Sequence, residues 1–167
     1  MEKIESRELS ENVVKLIGDK WMLVTAVDKE KFNTMTASWG GLGYIWNKPV
    51  AFILIRPERY TFEFTEKTDF LTLSFFNEKY RKALKICGTV SGRNTGKVRD
   101  AGLTPLATTL GNITFKEAGL ILECKKIYSD FFKPENFHDT DQFHKWYEEG
   151  GVHKMYIYEI VNVWKNE

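Results

Sequence analysis

Two cysteines are all that the 167 residues hold, Cys87 and Cys124, and neither belongs to a CxxC pair or a zinc-ligand spacing. That excludes a disulfide framework and predicts buried, reduced thiols in a cytoplasmic protein. Charge of one sign is missing too. The 24 Lys and Arg stand against 23 Asp and Glu, a formal net charge of +1, so no large field draws a polymeric anion and nucleic acid is excluded as a partner. No apolar run approaches the length of a membrane span, and the N-terminal MEKIESRELSENVVKLIGDKW mixes acids and bases where a signal peptide would be apolar, which predicts no membrane association. There are only four prolines, no low-complexity tract and no repeat of 20 to 50 residues, so residues 1–167 are expected to form one domain. Apolar side chains are plentiful: 43% of the chain is hydrophobic and 14% aromatic, enough for a core without staples.

Most of that apolar content falls in strand-like stretches. WMLVTAVD (21–28), FNTMTASW (32–39), VAFILI (50–55) and FLTLSFF (70–76) have the length and β-rich composition of strands. GLILECKKIYSDFF (119–132) has the mixed alternation of a long barrel strand, and VHKMYIYEIVNVW (152–164) reads as a closing one. Three short helices are expected: 57–68 with Pro57 in its first turn, 78–88 ended by Gly88, and 140–149. Loops around a short helix fill 89–112. Strands outnumber helices and no βαβ rhythm appears, so the fold class is mainly β with short helices, an antiparallel barrel.

The segment NTMTASW poses a question. As a strand it puts Thr34, Thr36 and Ser38 on one face and Asn33, Met35, Ala37 and Trp39 on the other, a polar lining opposite a core face. IRPERYT places Arg56 and Arg59 beside Tyr60 and Thr61 at a helix start. Guanidinium forks, a hydroxyl and free helix N–H groups are the parts of a phosphate site. SGRNTGK (91–97) combines glycines, Gly92 among them, that permit close backbone approach with Ser91, Arg93, Thr95 and Lys97 as donors. It fails the Walker pattern, with Ser at 91 where Gly is needed and Val at 98 where Ser or Thr is needed. His138, Asp139, Asp141 and His144 sit at a helix start, where such residues serve as caps and dipole partners, so no metal is predicted. No Ser or Cys occupies a nucleophile elbow. Trp39, Trp46, Trp146 and Tyr147 are of a kind to flank a planar ring.

NTMTASWG, IRPERYT, FLTLSFF, CGTVSGRNTGK, GLTP and GGVHKMYIYEIV, in this order, resemble the flavin reductase-like family, the FMN-binding split β-barrels, and within it the flavoredoxin branch. The resemblance spans nearly the whole chain. It implies that the strand from Asn33 and Thr34 to Trp39 runs along an isoalloxazine ring, its hydroxyls meeting the polar edge. It implies that Arg56, Arg59, Tyr60 and Thr61 lie near the flavin phosphate and that Ser91, Gly92 and Lys97 help to hold the cofactor. It also implies a homodimer with flavin near the subunit interface, and His153 on the nicotinamide side of the ring as the candidate catalytic residue, its charge titrating in the physiological range. The expected cofactor is FMN with NADH or NADPH as reductant; the alternatives are an electron carrier supplied by a redox protein and a flavin-free ligand-binding barrel. Tyr158 stands where many relatives carry Gly.

Overall fold

Residues 1–94 and 96–166 are described by a computed structural model. In chain order it contains β1 (Glu2–Ile4), β2 (Met22–Asp28), β3 (Lys31–Ala37), β4 (Gly40–Ile45), β5 (Lys48–Ile55), α1 (Tyr60–Lys67), β6 (Phe70–Phe75) and α2 (Arg81–Thr89). There follow α3 (Lys97–Asp100), β7 (Pro105–Ala107), β8 (Ile113–Phe115), β9 (Leu120–Phe131), α4 (Thr140–Tyr147) and β10 (Lys154–Lys165). The main sheet runs β3-β2-β6-β9-β10-β5-β4, and β7 pairs with β8 apart from it. All its pairings are antiparallel.

Strand β10 makes the barrel a split one. It pairs with β9 along its length, with β5 through Lys154–Glu159, and with β1 only through Val163–Lys165. Register shifts at Ile157/Tyr158 and Ile160/Asn162 bend it between the two partners, as bulges do. Tyr158 meets Ala51 across β5, and the small partner leaves room for its fully buried ring.

Strand β2 is buried on both faces. Met22, Val24 and Ala26 join the larger apolar cluster inside the barrel, while Leu23 joins a second cluster under α2 with Leu84, Cys87, Phe115 and Ile121. The predicted thiols Cys87 and Cys124 are both free and fully buried. Glu123 is the buried exception among apolar neighbours, and Thr108, Asn112 and Asn162 all donate to its carboxylate, tying the β7–β8 arm to the sheet.

The helix expected from Pro57 begins three residues later, with Arg59 in extended geometry at the N-cap, so Pro57 belongs to the turn before it. β4 was not expected, nor were the three-residue strands. Trp46 and Asn47, both at positive φ, close the β4–β5 hairpin in the conformation a two-residue turn requires, which leaves Trp46 exposed at its tip. No helix among the described residues is long and apolar enough to cross a membrane.

Candidate functional site

Three ends of chain meet on one side of the sheet: the β3 segment 33–39, the turn from β5 into α1, and the loop from α2 into α3. Between them runs a cleft of two connected chambers that share Met35, Arg59, Gly88 and Thr89. The larger, about 460 Å³, is walled by Met35, Ala37, Trp39, Leu54, Trp146 and His153, with Trp21 and the Leu84–Thr89 part of α2 opposite. The smaller, about 90 Å³, is lined by Asn33, Tyr60, Thr61, Ser91, Gly92 and Lys97. Together they are of the size that encloses a small-molecule ligand.

The small chamber is cationic. Lys97 is 5% exposed, and burial, assisted by the positive charge of Arg59, pushes its ammonium down to about 8. Burial also lowers the Arg59 guanidinium. Arg59 Nη2 donates to the carbonyl of Gly88 (2.8 Å) and Lys97 Nζ to that of Val90 (3.3 Å), both at the C-terminal end of α2, which favours cations. Among the described residues neither forms an ion pair with a carboxylate. Glu58 borders the chamber, but its Oε1 lies against Gly151, where a Cβ would be 2.5 Å away. Tyr60 and Thr61 open α1, and the leading N–H groups of a helix have no acceptor within it.

Glycine at 92 is required by this packing. A Cβ there would fall 1.8 Å from Asn33 Oδ1 and 3.1 Å from the Tyr60 ring. Asn33 Nδ2 donates to Thr61 Oγ1 (2.7 Å), and Arg93 lies over the Tyr60 ring (4.7 Å) while pairing with Glu63. The loop is thereby pinned to α1. Ser91 is exposed, its hydroxyl accepting from the Arg93 amide (3.3 Å), and Thr95 lies outside the described residues.

β3 presents itself differently from its expected arrangement. The hydroxyl face turns toward α2: Thr34 is fully buried with its Oγ1 2.8 Å from that of Thr25, and Thr36 donates to the carbonyl of Leu84. Thr34 therefore does not line the cleft with its side chain. Asn33, Met35 and Ala37 are buried as expected, the last two within the apolar cluster of the barrel, and they line the cleft as well, with Thr36, Ser38 and Trp39 along its rim. Alternation grouped the residues correctly, but α2 covers the polar group.

Arg56 also departs from expectation. It borders the larger chamber and not the small one; its Nη2 donates to the carbonyl of Trp146 (2.9 Å) and its guanidinium lies over the Tyr147 ring (5.6 Å). It docks α4 rather than joining the cationic cluster. Trp146 meets Trp39 edge-on at 4.8 Å, and the His153 ring lies 5.0 Å from Trp39. His153 is buried, with Nδ1 2.9 Å from the Tyr147 hydroxyl. Burial and the charge of Arg56 push its imidazolium down to about 4 against the opposing pull of Glu58, so the ring is neutral throughout the physiological range and does not titrate there as expected. Farther along, Asp139 caps α4 by accepting from the Asp141 amide (3.1 Å). Lys85, Leu54 and Trp21 complete the larger chamber and carried no signal in the sequence.

A split barrel whose cleft joins an aromatic chamber to a cationic one has the shape and charge to suit a planar molecule with an anionic tail. The chain belongs to the flavin reductase-like family: the sequence profile of the flavin reductase like domain matches residues 15–167. Among solved structures it is similar to a flavoredoxin from Methanosarcina acetivorans (21% identity, TM-score 0.71, 100% of this chain and 77% of that one). It is likewise similar to an FMN-binding protein from Thermus thermophilus (18%, 0.72, 100% and 83%) and to nitrilotriacetate monooxygenase component B from Bacillus cereus (19%, 0.69, 100% and 82%). No curated protein matches it.

Proposed function

We propose that the cleft holds FMN, ring in the larger chamber and phosphate in the smaller, and that the protein passes electrons through it from NADH or NADPH. The observation that carries this is the buried Lys97 beside the half-buried Arg59, neither of them ion-paired with a carboxylate among the described residues. Two cations brought into a low dielectric repel and are poorly solvated, and a phosphate monoester relieves both costs. Arg59, Lys97 and the leading amides of α1 would hold the phosphate. Gly92 lets the loop close on it, and Asn33, through Thr61, fixes the distance between loop and helix. Met35, Ala37 and Trp39 would carry the ring, with Thr36 and Ser38 along its edge.

Bound FMN supplies one- and two-electron transfer at its ring, and the chain positions and tunes it. His153 is neutral at the aromatic end of the cleft and serves there as a hydrogen-bonding group toward a second ligand, not as a proton store. Two copies are expected to associate, a reading supported by Tyr44, Ile45 and Trp46, exposed together on the β4–β5 hairpin. Two buried free thiols support a cytoplasmic setting. The electron-carrier reading is favoured by one observation: α4 lies across the larger chamber with Trp146 against Trp39, which narrows the approach of a dinucleotide to the ring.

The test is the absorption spectrum of the purified protein, chromatography of the heat-released cofactor, and anaerobic addition of each nicotinamide. Released FMN bleached by NADH or NADPH supports the reductase. FMN bleached only by dithionite assigns the carrier role, and no flavin after reconstitution overturns the reading.

A further inference from the structure

We propose that Tyr147 fixes His153 in the tautomer protonated at Nε2, so that the chain presents one oriented donor to a planar, carbonyl-bearing ligand in the larger chamber. The ligand part rests on the reading above; the tautomer part does not. Tyr147 is the one residue of α4 that is buried, its ring packed between Phe137 (6.0 Å) and Phe143 (5.8 Å), so its hydroxyl is held in place from behind. That hydroxyl lies 2.9 Å from Nδ1 of His153 and makes no other hydrogen bond among the described residues. Two arrangements are conceivable. If Nδ1–H donated to the phenol oxygen, the phenolic proton would be left without an acceptor in a buried setting. If the phenol donates to Nδ1, one bond satisfies the phenolic proton and Nδ1, the imidazole proton must sit on Nε2, and that N–H alone is left for a partner outside the pair. The second is the stable one, and burial, which holds the Tyr147 phenol above its usual range, keeps its proton in place.

Nε2 makes no hydrogen bond to protein among the described residues, and His153 borders the larger chamber. Among the described residues no carboxylate lines that chamber, which leaves the N–H available to a ligand that brings its own acceptor. The imidazole rests beside Trp39, and Trp146 stands edge-on to the same ring, which makes the neighbouring space a slot for a flat molecule. A carbonyl oxygen in the plane of such a molecule fits the donor. Arg56 keeps the arrangement in register by docking α4 through the Trp146 carbonyl. Tyr147 is thus a positioning residue that acts through His153.

The test uses full-length protein as purified, labelled with 15N histidine, and reads the ring nitrogens by long-range proton–nitrogen correlation. His153 is assigned as the signal missing from His153→Ala. The expected result is a pyrrole-type Nε2 and a pyridine-type Nδ1 in the wild type, giving way to a mixture of tautomers in Tyr147→Phe, which keeps the ring and its packing. Nicotinamide, as the carbonyl-bearing probe, should shift the Nε2 signal saturably, with a dissociation constant about three- to tenfold higher in Tyr147→Phe, the loss of one oriented hydrogen bond. An Nδ1-protonated or averaging ring in the wild type, or an unchanged tautomer in Tyr147→Phe, overturns the role of Tyr147. The expected tautomer with no response to nicotinamide overturns the ligand assignment. Absence of flavin from the same sample after reconstitution overturns the FMN reading instead, and the tautomer result stands or falls without it.

Discussion

Lys97→Met should make the cofactor-free protein more stable and, at the same time, worse at binding FMN. The buried ammonium has fallen from the ordinary lysine value of 10.5 to about 8, which at ~1.4 kcal/mol for each tenfold corresponds to about 3 kcal/mol charged against the folded state at neutral pH. Methionine keeps the apolar stem and removes the charge; loss of the bond to the Val90 carbonyl offsets about 1 kcal/mol, leaving a gain of about 2. The sign with pH follows from linkage. Because the folded value lies below the unfolded one, the penalty is fully present below pH 8 and disappears as pH rises toward 10.5. Urea unfolding of the wild-type apoprotein should therefore show stability rising over that window, with this component absent from Lys97→Met. Binding should respond in the opposite sense. Loss of a charge-assisted bond to the phosphate costs ~1.5–3 kcal/mol, about ten- to a hundredfold in FMN affinity, while riboflavin, which has no phosphate, should bind both proteins alike. Wild-type FMN affinity should also fall roughly tenfold from pH 7 to pH 9 as Lys97 loses its proton, and the variant should lack that dependence. Flavin fluorescence titration reads all of this. Equal losses for FMN and riboflavin, with no gain in apoprotein stability, would refute the reasoning and leave Lys97 as a structural residue.

Gly92→Ala should weaken FMN binding by about tenfold or more in the same titration, because a Cβ 1.8 Å from Asn33 Oδ1 forces the loop away from α1; unchanged affinity would mean the loop does not close on the ligand. Thr34→Val should cost ~1–2 kcal/mol in urea unfolding by breaking its pair with Thr25, yet leave FMN affinity within about twofold. His153 lies below its unfolded value, so the unfolded chain takes up its proton first and stability is lost as pH falls from 6.5 to about 4; the loss should reach about 3 kcal/mol and be absent from His153→Gln.

Periodicity was a good guide where one pattern decides one element. β2, β3, β5, β6, β9 and β10 lie within a few residues of the stretches whose composition points to strands. β4 did not show itself because its glycines read as a loop. Gly41 is there for packing: the Phe52 ring occupies the space a Cβ would take, 2.4 Å away, and that partner is known only once the strands are paired. The three-residue strands β1, β7 and β8 are too short to carry a period. The cationic cluster was legible for a different reason. Arg59 and Lys97 each lie in a short stretch rich in donors, and a cationic cluster around the buried Lys97 follows once the two stretches meet.

What covers a face is a separate question from which residues share it, and β3 and Arg56 both turn on that difference. The alternation in NTMTASW assigns Thr34 and Thr36 to one side, but a threonine can satisfy its hydroxyl against a helix carbonyl or a neighbouring threonine as well as against a ligand. Packing chose the first two, because Leu23 on the same side of the sheet draws the apolar face of α2 onto it. Asn33 and Met35 were then left to line the cleft. Arg56 followed the same logic over a longer distance. Its local setting beside Arg59 pointed to phosphate, whereas its partner is the carbonyl of Trp146, 90 residues away, at the end of a helix whose single buried residue is Tyr147. A cation at a helix C-terminus is stabilised by the carbonyls there, and one contact both anchors α4 and keeps positive charge beside His153. The neutral state of that histidine is therefore set first by burial and reinforced by a residue whose sequence context pointed elsewhere.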